Sequence, residues 1–321
     1  MAKIYGIDAS HHQGTINWKQ TASELRRVNG GTSPGFAILR VGYSARHGKG
    51  GLWMDGQWTK NVEGCEAYGV PMGVYVYSYD TSPEAAAITA RQVVNQLRGH
   101  IWDYPIYLDV EYEPYNTGKD GSGRSRTQVK ADNTAIIKAA LDVFEKAGYY
   151  AAVYCSRDFF LNYTNLGNLA GFDKWEAAYT RSDTAAVENG LWQYSSKNAL
   201  GIAGFGSSLD CDVSYKDYPD IMKRCGLNGY IKTPASSTGN TNGEKLQTPT
   251  VGPMSKGDFD RIVNQAAALG KAPTEYTVRL APMATTQAAQ IKATANAVQP
   301  GDTIRYRLKI VNNSGRDYYH T

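Results

Sequence analysis

The sequence predicts an α/β protein: a TIM-like barrel of (β/α)5(β)3 type, then a linker and a small, unfinished tail module. Three observations carry this. Eight short apolar or β-branched runs alternate with helical stretches before residue 226, the pattern of βα units. The last three runs follow one another too closely for full crossover helices. After Gly226 the composition shifts to Ser, Thr, Gly, Asn and Pro. A chain of 321 residues, at about 150 residues per domain, agrees with two domains.

The runs are IYGIDAS (4–10), FAILRVGY (36–43), MGVYVYSY (72–79), PIYLDVE (105–111), YAAVYCS (150–156), WEAAYT (175–180), GLWQYS (190–195) and SLDCDV (208–213). Between the third and fourth, Ser82 before Pro83 marks a helix start, and Ala86, Ala90, Val93, Val94 and Leu97 recur at helical spacing until Gly99. Between the fourth and fifth, Val129, Ile136, Ile137, Ala140, Leu141 and Phe144 form one apolar face, which Gly148 closes as a left-handed cap. The catalytic barrel is thus expected over 1–226 and a linker over 227–253. A C-terminal module over 254–321 follows, with a helix from Ser255 to Gly270 and strands at 276–280 and 303–311. The NNSG turn (312–315) starts a return strand at Tyr318 and Tyr319, and with the chain stopping at Thr321 the tail is expected to leave an unpaired strand edge.

Composition excludes several classes. Hydrophobic residues at 42% and charged residues at 20% are those of an ordered globular chain. A net charge of +4, evenly spread, argues against a nucleic-acid track, and the start MAKIYGIDAS lacks the apolar core of a signal peptide. No run approaches the roughly 18 apolar residues that span a bilayer. Charge does divide along the chain: residues 1–230 hold 23 basic and 24 acidic side chains, whereas 231–321 hold 11 and 6. The four cysteines, Cys65, Cys155, Cys211 and Cys225, follow neither a metal-finger nor a disulfide-framework spacing and read as mostly buried thiols.

Barrel enzymes gather their chemistry at the C-terminal ends of the strands, and acids stand there repeatedly: Asp8 in the first run, Asp109 and Glu111 in the fourth, Asp210 and Asp212 in the last. Residues two apart on a strand share a face, so Asp109 projects with Glu111 and Asp210 with Asp212. A single such carboxylate serves equally well as a helix cap. Several at one mouth raise one another's pKa, and a protonated carboxyl beside an ionised one is what glycoside hydrolysis needs. Tyr77 and Gln193, near strand ends, are candidate sugar contacts, as is Trp192; Tyr75 is assigned to the core. His11 and His12 beside Asp8 lack the spaced ligands of a metal centre, and no metal or cofactor is expected.

These segments carry a resemblance. DASHHQGTINW (8–18), FAILRVGY, GVYVYSY (73–79), YPIYLDVE (104–111), VYCS (153–156) and LWQYSS with GIAGFGSSLDCDVSY (191–215) resemble the family 25 glycoside hydrolases, in matching order, over roughly residues 1–226. The resemblance implies a barrel whose last three strands lack regular helices and an N-acetylmuramidase (lysozyme) activity. Such an enzyme cleaves the β-1,4 bond between N-acetylmuramic acid and N-acetylglucosamine in peptidoglycan, as phage endolysins and bacterial autolysins do. It also implies Glu111 as general acid, Asp109 as its acidic partner and Asp8 and Asp210 as the outer acids. Asp212 stands where the family usually has Asn. The expected partner is the peptidoglycan glycan strand, at the bacterial cell wall, with neither nucleic acid nor membrane. The tail is expected to be a wall-targeting or spacer module that meets anionic wall polymers; VQPGDTIRYRLKIVNNSG (298–315) resembles the opening of immunoglobulin-like repeats. Two alternatives remain at this level: a metal-dependent polysaccharide deacetylase built on Asp8, His11 and His12, and a barrel that only binds the wall.

Overall fold

The alternation of apolar runs and amphipathic helices closes into a barrel. The structure, a computed structural model, describes residues 3–46, 48–183 and 187–231 and four strands of the C-terminal segment. The chain divides into two compact units, Met1–Ala235 and Ser236–Thr321.

In the first unit the barrel strands are β1 (Ile4–Ala9), β2 (Phe36–Ser44), β4 (Met72–Tyr77), β5 (Ile106–Asp109), β6 (Ala151–Ser156), β7 (Asp173–Ala177), β8 (Leu191–Ser195) and β9 (Asp210–Ser214). They pair in that order and β9 returns to β1, closing the sheet. Each of the eight runs read from the sequence overlaps one of these strands, with β2 and β9 ending one residue later than their runs and β7 starting two residues earlier. A short β3 (Leu52–Met54), not anticipated, pairs antiparallel with the upper end of β2. The pairs from β1 to β8 are parallel.

β9 departs from the expected parallel sheet, running antiparallel to both β8 and β1. Residues 196–209 before it form no crossover helix; Asn198, in a left-handed conformation (φ 46°), ties the loop by donating to Ile202 O and Gly206 O. Without a crossover the chain turns straight back, the antiparallel outcome. The N-terminal end of β9 therefore lies at the mouth formed by the C-terminal ends of the other strands.

Helices cover the earlier crossovers: α1 (Trp18–Val28), α2 (Trp58–Tyr68), α3 (Pro83–Leu97), the short α4 (Pro114–Thr117) with α5 (Arg126–Lys146), and α6 (Arg157–Tyr163). Ser82 caps α3 by accepting from Ala85 N, with Pro83 in the first turn as predicted, and Ser125 with Gln128 forms a capping box on α5. Alternate strand residues Ile7, Leu39, Val74, Leu108 and Val153 face these helices in one apolar cluster with Val93, Leu97, Ile137 and Phe144. Each such side chain, fully buried, contributes about 1.5–3 kcal/mol.

The opposite parity fills the barrel. Phe36, Ile38, Tyr75, Tyr107, Trp175 and Leu191 form a second buried cluster. A last helix, α7 (Tyr218–Cys225), supplies Tyr218 and Met222 to this cluster; the Tyr218 ring lies 5.4 Å from that of Tyr104, and its hydroxyl donates to Asp173 Oδ2 at 2.8 Å. The N-terminal end of the barrel is thereby plugged, which leaves the other end for chemistry. Cys65, Cys155 and Cys211 are buried and Cys225 exposed, all as free thiols.

The chain remains part of the barrel beyond Gly226. Asn228 is fully buried; it accepts from Tyr150 N at 2.6 Å, donates to Tyr104 O at 2.8 Å, and its carbonyl accepts from Trp102 N. The linker expected from 227 therefore does not begin there. Its remainder from 232, and the helix expected from Ser255, lie outside the described residues.

In the second unit, β10 (Glu275–Leu280), β11 (Ala289–Thr294), β12 (Leu308–Val311) and β13 (Asp317–His320) form an antiparallel sheet in that order. β12, expected to present an unpaired edge, has β11 on one side and β13 on the other. β11 was not anticipated, because AQIKAT offers one large apolar residue and no clear alternation. Among the described residues no helix is long and apolar enough to cross a membrane.

Candidate active site

Register assembles the site. Asp8 on β1 is the cross-strand partner of Asp210 on β9, and Gly6 that of Asp212, so both acids of β9 share the inward face with Asp8. Across the barrel, Asp109 on β5 lies between Tyr77 of β4 and Tyr154 of β6. Gln193 of β8 is the partner of Asp212. The candidate acids Asp8, Asp109, Glu111, Asp210 and Asp212 thus meet at one mouth.

None of these five is a helix cap. Side-chain caps on the described helices come from Ser10, Asn17, Ser82, Ser125, Ser156 and Asp217. Asp8, Asp109 and Asp212 are buried, at 5%, 3% and 0% exposure, while Glu111 and Asp210 are half-buried and reach towards solvent. This depth ordering separates groups that shape the field from groups that can touch a substrate.

Each carboxyl is pushed above its ordinary range. Burial does most of this for Asp109, with Glu111 and Asp8 adding repulsion; for Asp8, burial and then Asp210 act in the same direction. Glu111 is raised by burial, Glu113 and Asp210, and Asp210 by burial. Asp212, raised by burial and by Asp8, accepts from Trp175 Nε1 at 2.8 Å. Gln193 fixes Asp8 by donating from Nε2 to Oδ2 at 2.7 Å, and its own Oε1 accepts from Tyr154 OH at 2.9 Å and Tyr179 OH at 3.1 Å.

Sequence reasoning missed several of these partners. Arg40, buried on β2, provides the opposing charge that draws Asp8 and Asp109 back down. It is anchored by donating from Nε to Asp55 Oδ2 at 2.8 Å and contacts His11 Nδ1. A cation two residues after Ile38 in an otherwise apolar strand was the readable signal. Glu113, two residues beyond Glu111, accepts from Tyr77 OH at 2.8 Å. Tyr154 and Trp175 were hidden because buried aromatics in strands ordinarily serve the core.

Trp192 is not brought to the site. Gln193 faces inward, so its neighbour faces outward; Trp192 is 6% exposed and donates from Nε1 to Ala178 O at 2.9 Å. Tyr75 lies in the core, edge-on to Trp175. His11 is engaged by Asp55 at 3.0 Å and contacts the Arg40 guanidinium, whose positive charge opposes a metal cation beside it. That arrangement speaks against the deacetylase alternative.

The comparisons with known proteins follow the same outline. Residues 7–202 match the model of the family described as Glycosyl hydrolases family 25. Among solved structures, the modular autolysin LytC from Streptococcus pneumoniae is similar at 27% identity and a TM-score of 0.54, covering 66% of this chain and 47% of its own. It has also been solved in complex with a synthetic peptidoglycan ligand. This chain therefore spans about half the length of that autolysin. Two others share the fold: the spore cortex lytic enzyme SleM from Clostridium perfringens (17% identity, TM-score 0.54, 99% of this chain and 97% of that one), and the catalytic domain of endolysin ply40 from bacteriophage P40 of Listeria monocytogenes (21%, 0.51, 69% and 97%). A search of curated proteins finds no match.

Proposed function

The chain belongs to glycosyl hydrolase family 25, and from that membership and the acid cluster we propose that it is an N-acetylmuramidase, hydrolysing the β-1,4 bond between N-acetylmuramic acid and N-acetylglucosamine in peptidoglycan. The observation that carries the reading is the half-buried Glu111, raised in pKa, at the rim of four further acids. Glu111 holds a proton at a pH where an exposed glutamate has lost it, and delivers it to the departing sugar oxygen. Asp109, Asp8 and Asp210 surround the positive charge that develops on the sugar ring. Tyr77 and Gln193 orient the site: the first through Glu113, the second through Asp8. Asp212, buried beside Asp8 on the inward face, acts through the charge of that residue.

Glu111→Gln preserves shape and removes the proton. Wall-lysis rates are expected to fall about 10²–10⁴-fold in a variant with an unchanged melt. Activity within a few-fold of the parent rejects the assignment. For residues 231–321 the reading is a wall-retaining or spacer module, supported by 11 basic against 6 acidic side chains. Pull-down of a fluorescent fusion of that segment by purified Gram-positive walls at low and high salt tests it, since attraction to anionic polymers weakens as the Debye length falls below about 8 Å. Absence of binding at both salts leaves the spacer role.

A further inference from the structure

We propose that the β2–β3 hairpin and the end of β4 form an aromatic platform that holds the glycan strand beyond the sugars at the reacting bond. The inference rests on the muramidase reading and extends it to a second, non-reacting contact with the same polymer.

The platform begins in the site and runs outward. Tyr77, whose hydroxyl is bound by Glu113, has its ring 4.8 Å from that of Tyr79. Tyr79 meets Tyr43 edge-to-face at 6.2 Å, and Tyr43 meets Trp53 edge-to-face at 5.8 Å. Trp53 ends the series at 54% exposure. Pyranose rings present polarised C–H groups that favour the negative face of an aromatic ring. A row of rings spaced on the scale of successive sugars, starting beside the acids, fits an extended glycan.

The backbone is arranged to produce this row. Phe36, Ile38 and Arg40 face the barrel interior, so unbroken alternation turns Tyr43 outward. A bulge between Arg40 and Gly42 shifts the register, after which Tyr43 pairs with Tyr77 on β4 and with Trp53 on β3. Bulges at barrel rims re-aim side chains in this way. A Cβ at Gly42 would strike the Trp53 carbonyl, so glycine is what lets β3 approach. The hairpin is also pinned to α3: Thr89 Oγ1 accepts from Gly51 N at 3.1 Å and Gln92 Oε1 from Leu52 N at 2.7 Å. Ser44 Oγ accepts from Tyr79 N at 2.6 Å. A backbone pinned in this way loses little entropy on binding.

Arg46 adds charge. It is exposed, lies 4.9 Å from the Tyr79 ring centroid and donates to the Tyr79 hydroxyl at 3.2 Å. Muramyl residues carry lactyl or peptide carboxylates, so a guanidinium beside the rings favours this glycan over a neutral one.

The test compares a long soluble peptidoglycan strand with a short muramyl oligosaccharide that spans only the reacting bond. Rates are measured for the parent and Trp53→Ala, and affinities by calorimetry in the Glu111→Gln background. Truncating this outermost aromatic contact is expected to lower the long-to-short ratio of kcat/KM about five- to tenfold, with Kd for the long strand weakening in parallel. Trp53→Phe is expected to restore most of the ratio. Equal losses on both lengths, or none on either, overturn the platform. A parent protein that cleaves neither glycan refutes the muramidase reading instead, and the calorimetric comparison then decides the platform independently.

Discussion

Replacing Arg40 by methionine is expected to expose how the site tolerates its own charge. The Arg40 side chain is 9% exposed and that of its partner Asp55 0%, with the guanidinium Nε 2.8 Å from the carboxylate. Removing one member of a buried pair costs about 3–5 kcal/mol, because the other is left as an uncompensated charge. Asp55 keeps hydrogen bonds from Gln57 N at 2.9 Å and His11 N at 3.1 Å, which places the loss near the lower end. At about 2–4 °C per kcal/mol for a unit of this size, the melting temperature at pH 7 is expected to drop by about 6–12 °C. The sign with pH is fixed by Asp55. Burial opposes its charge, but the bonds from Gln57, His11 and Arg40 outweigh burial and hold its pKa below the ordinary value. A group depressed on folding stabilises above its unfolded pKa of about 3.9 and loses that stabilisation as pH falls through the folded value. The Arg40→Met deficit is therefore expected in full at pH 7 and to shrink below about pH 4. Calorimetric melts of Arg40→Met, Asp55→Asn and the double variant decide the matter. If the double variant loses the sum of the two single losses, or if Arg40→Met melts within about 2 °C of the parent, the buried-pair reasoning is wrong.

The acid cluster itself is expected to cost stability. Asp109 has a raised folded pKa and a buried Oδ1 with no partner among the described residues, so its contribution is present at low pH and lost as pH rises. Asp109→Asn is expected to melt higher than the parent at pH 7, by a margin that narrows towards pH 4, while wall lysis is lost; a lower melt at pH 7 identifies the carboxylate as structural. At the plugged end, Asn228→Ala is expected to destabilise the barrel by about 1–3 kcal/mol by orphaning Tyr150 N and Tyr104 O. By the same argument a fragment ending at 231 outlasts one ending at 226 in thermal melts, and equal melts of the two fragments contradict it.

Much of this architecture was legible because strand period and helix caps are local. Ser82, Pro83 and the face from Ala86 to Leu97 announced α3 without reference to anything distant. The reversal of β9 was not legible: SLDCDV has the same alternation in either direction, and only its pairing with β1 and β8 sets the sense. The acids emerged from parity, and they were gathered correctly even so, since β9 presents its start where the other strands present their ends. Parity alone misplaced Trp192, because it says which residues share a face and not which face is inside; the bond from Gln193 to Asp8 settles that. Asn228 was invisible for another reason: its partners lie 78 and 124 residues away, and Asn beside Gly reads locally as a loop.

The central claim is a particular bond, so the most direct test is the sugar left at the new reducing end. Purified peptidoglycan is digested with the full chain, the products are reduced with borohydride, and the reduced sugar is identified after hydrolysis. Reduced N-acetylmuramic acid, appearing with the parent and suppressed about 10²–10⁴-fold with Glu111→Gln, is the predicted result. Reduced N-acetylglucosamine, or release of acetate without new reducing ends, contradicts the account.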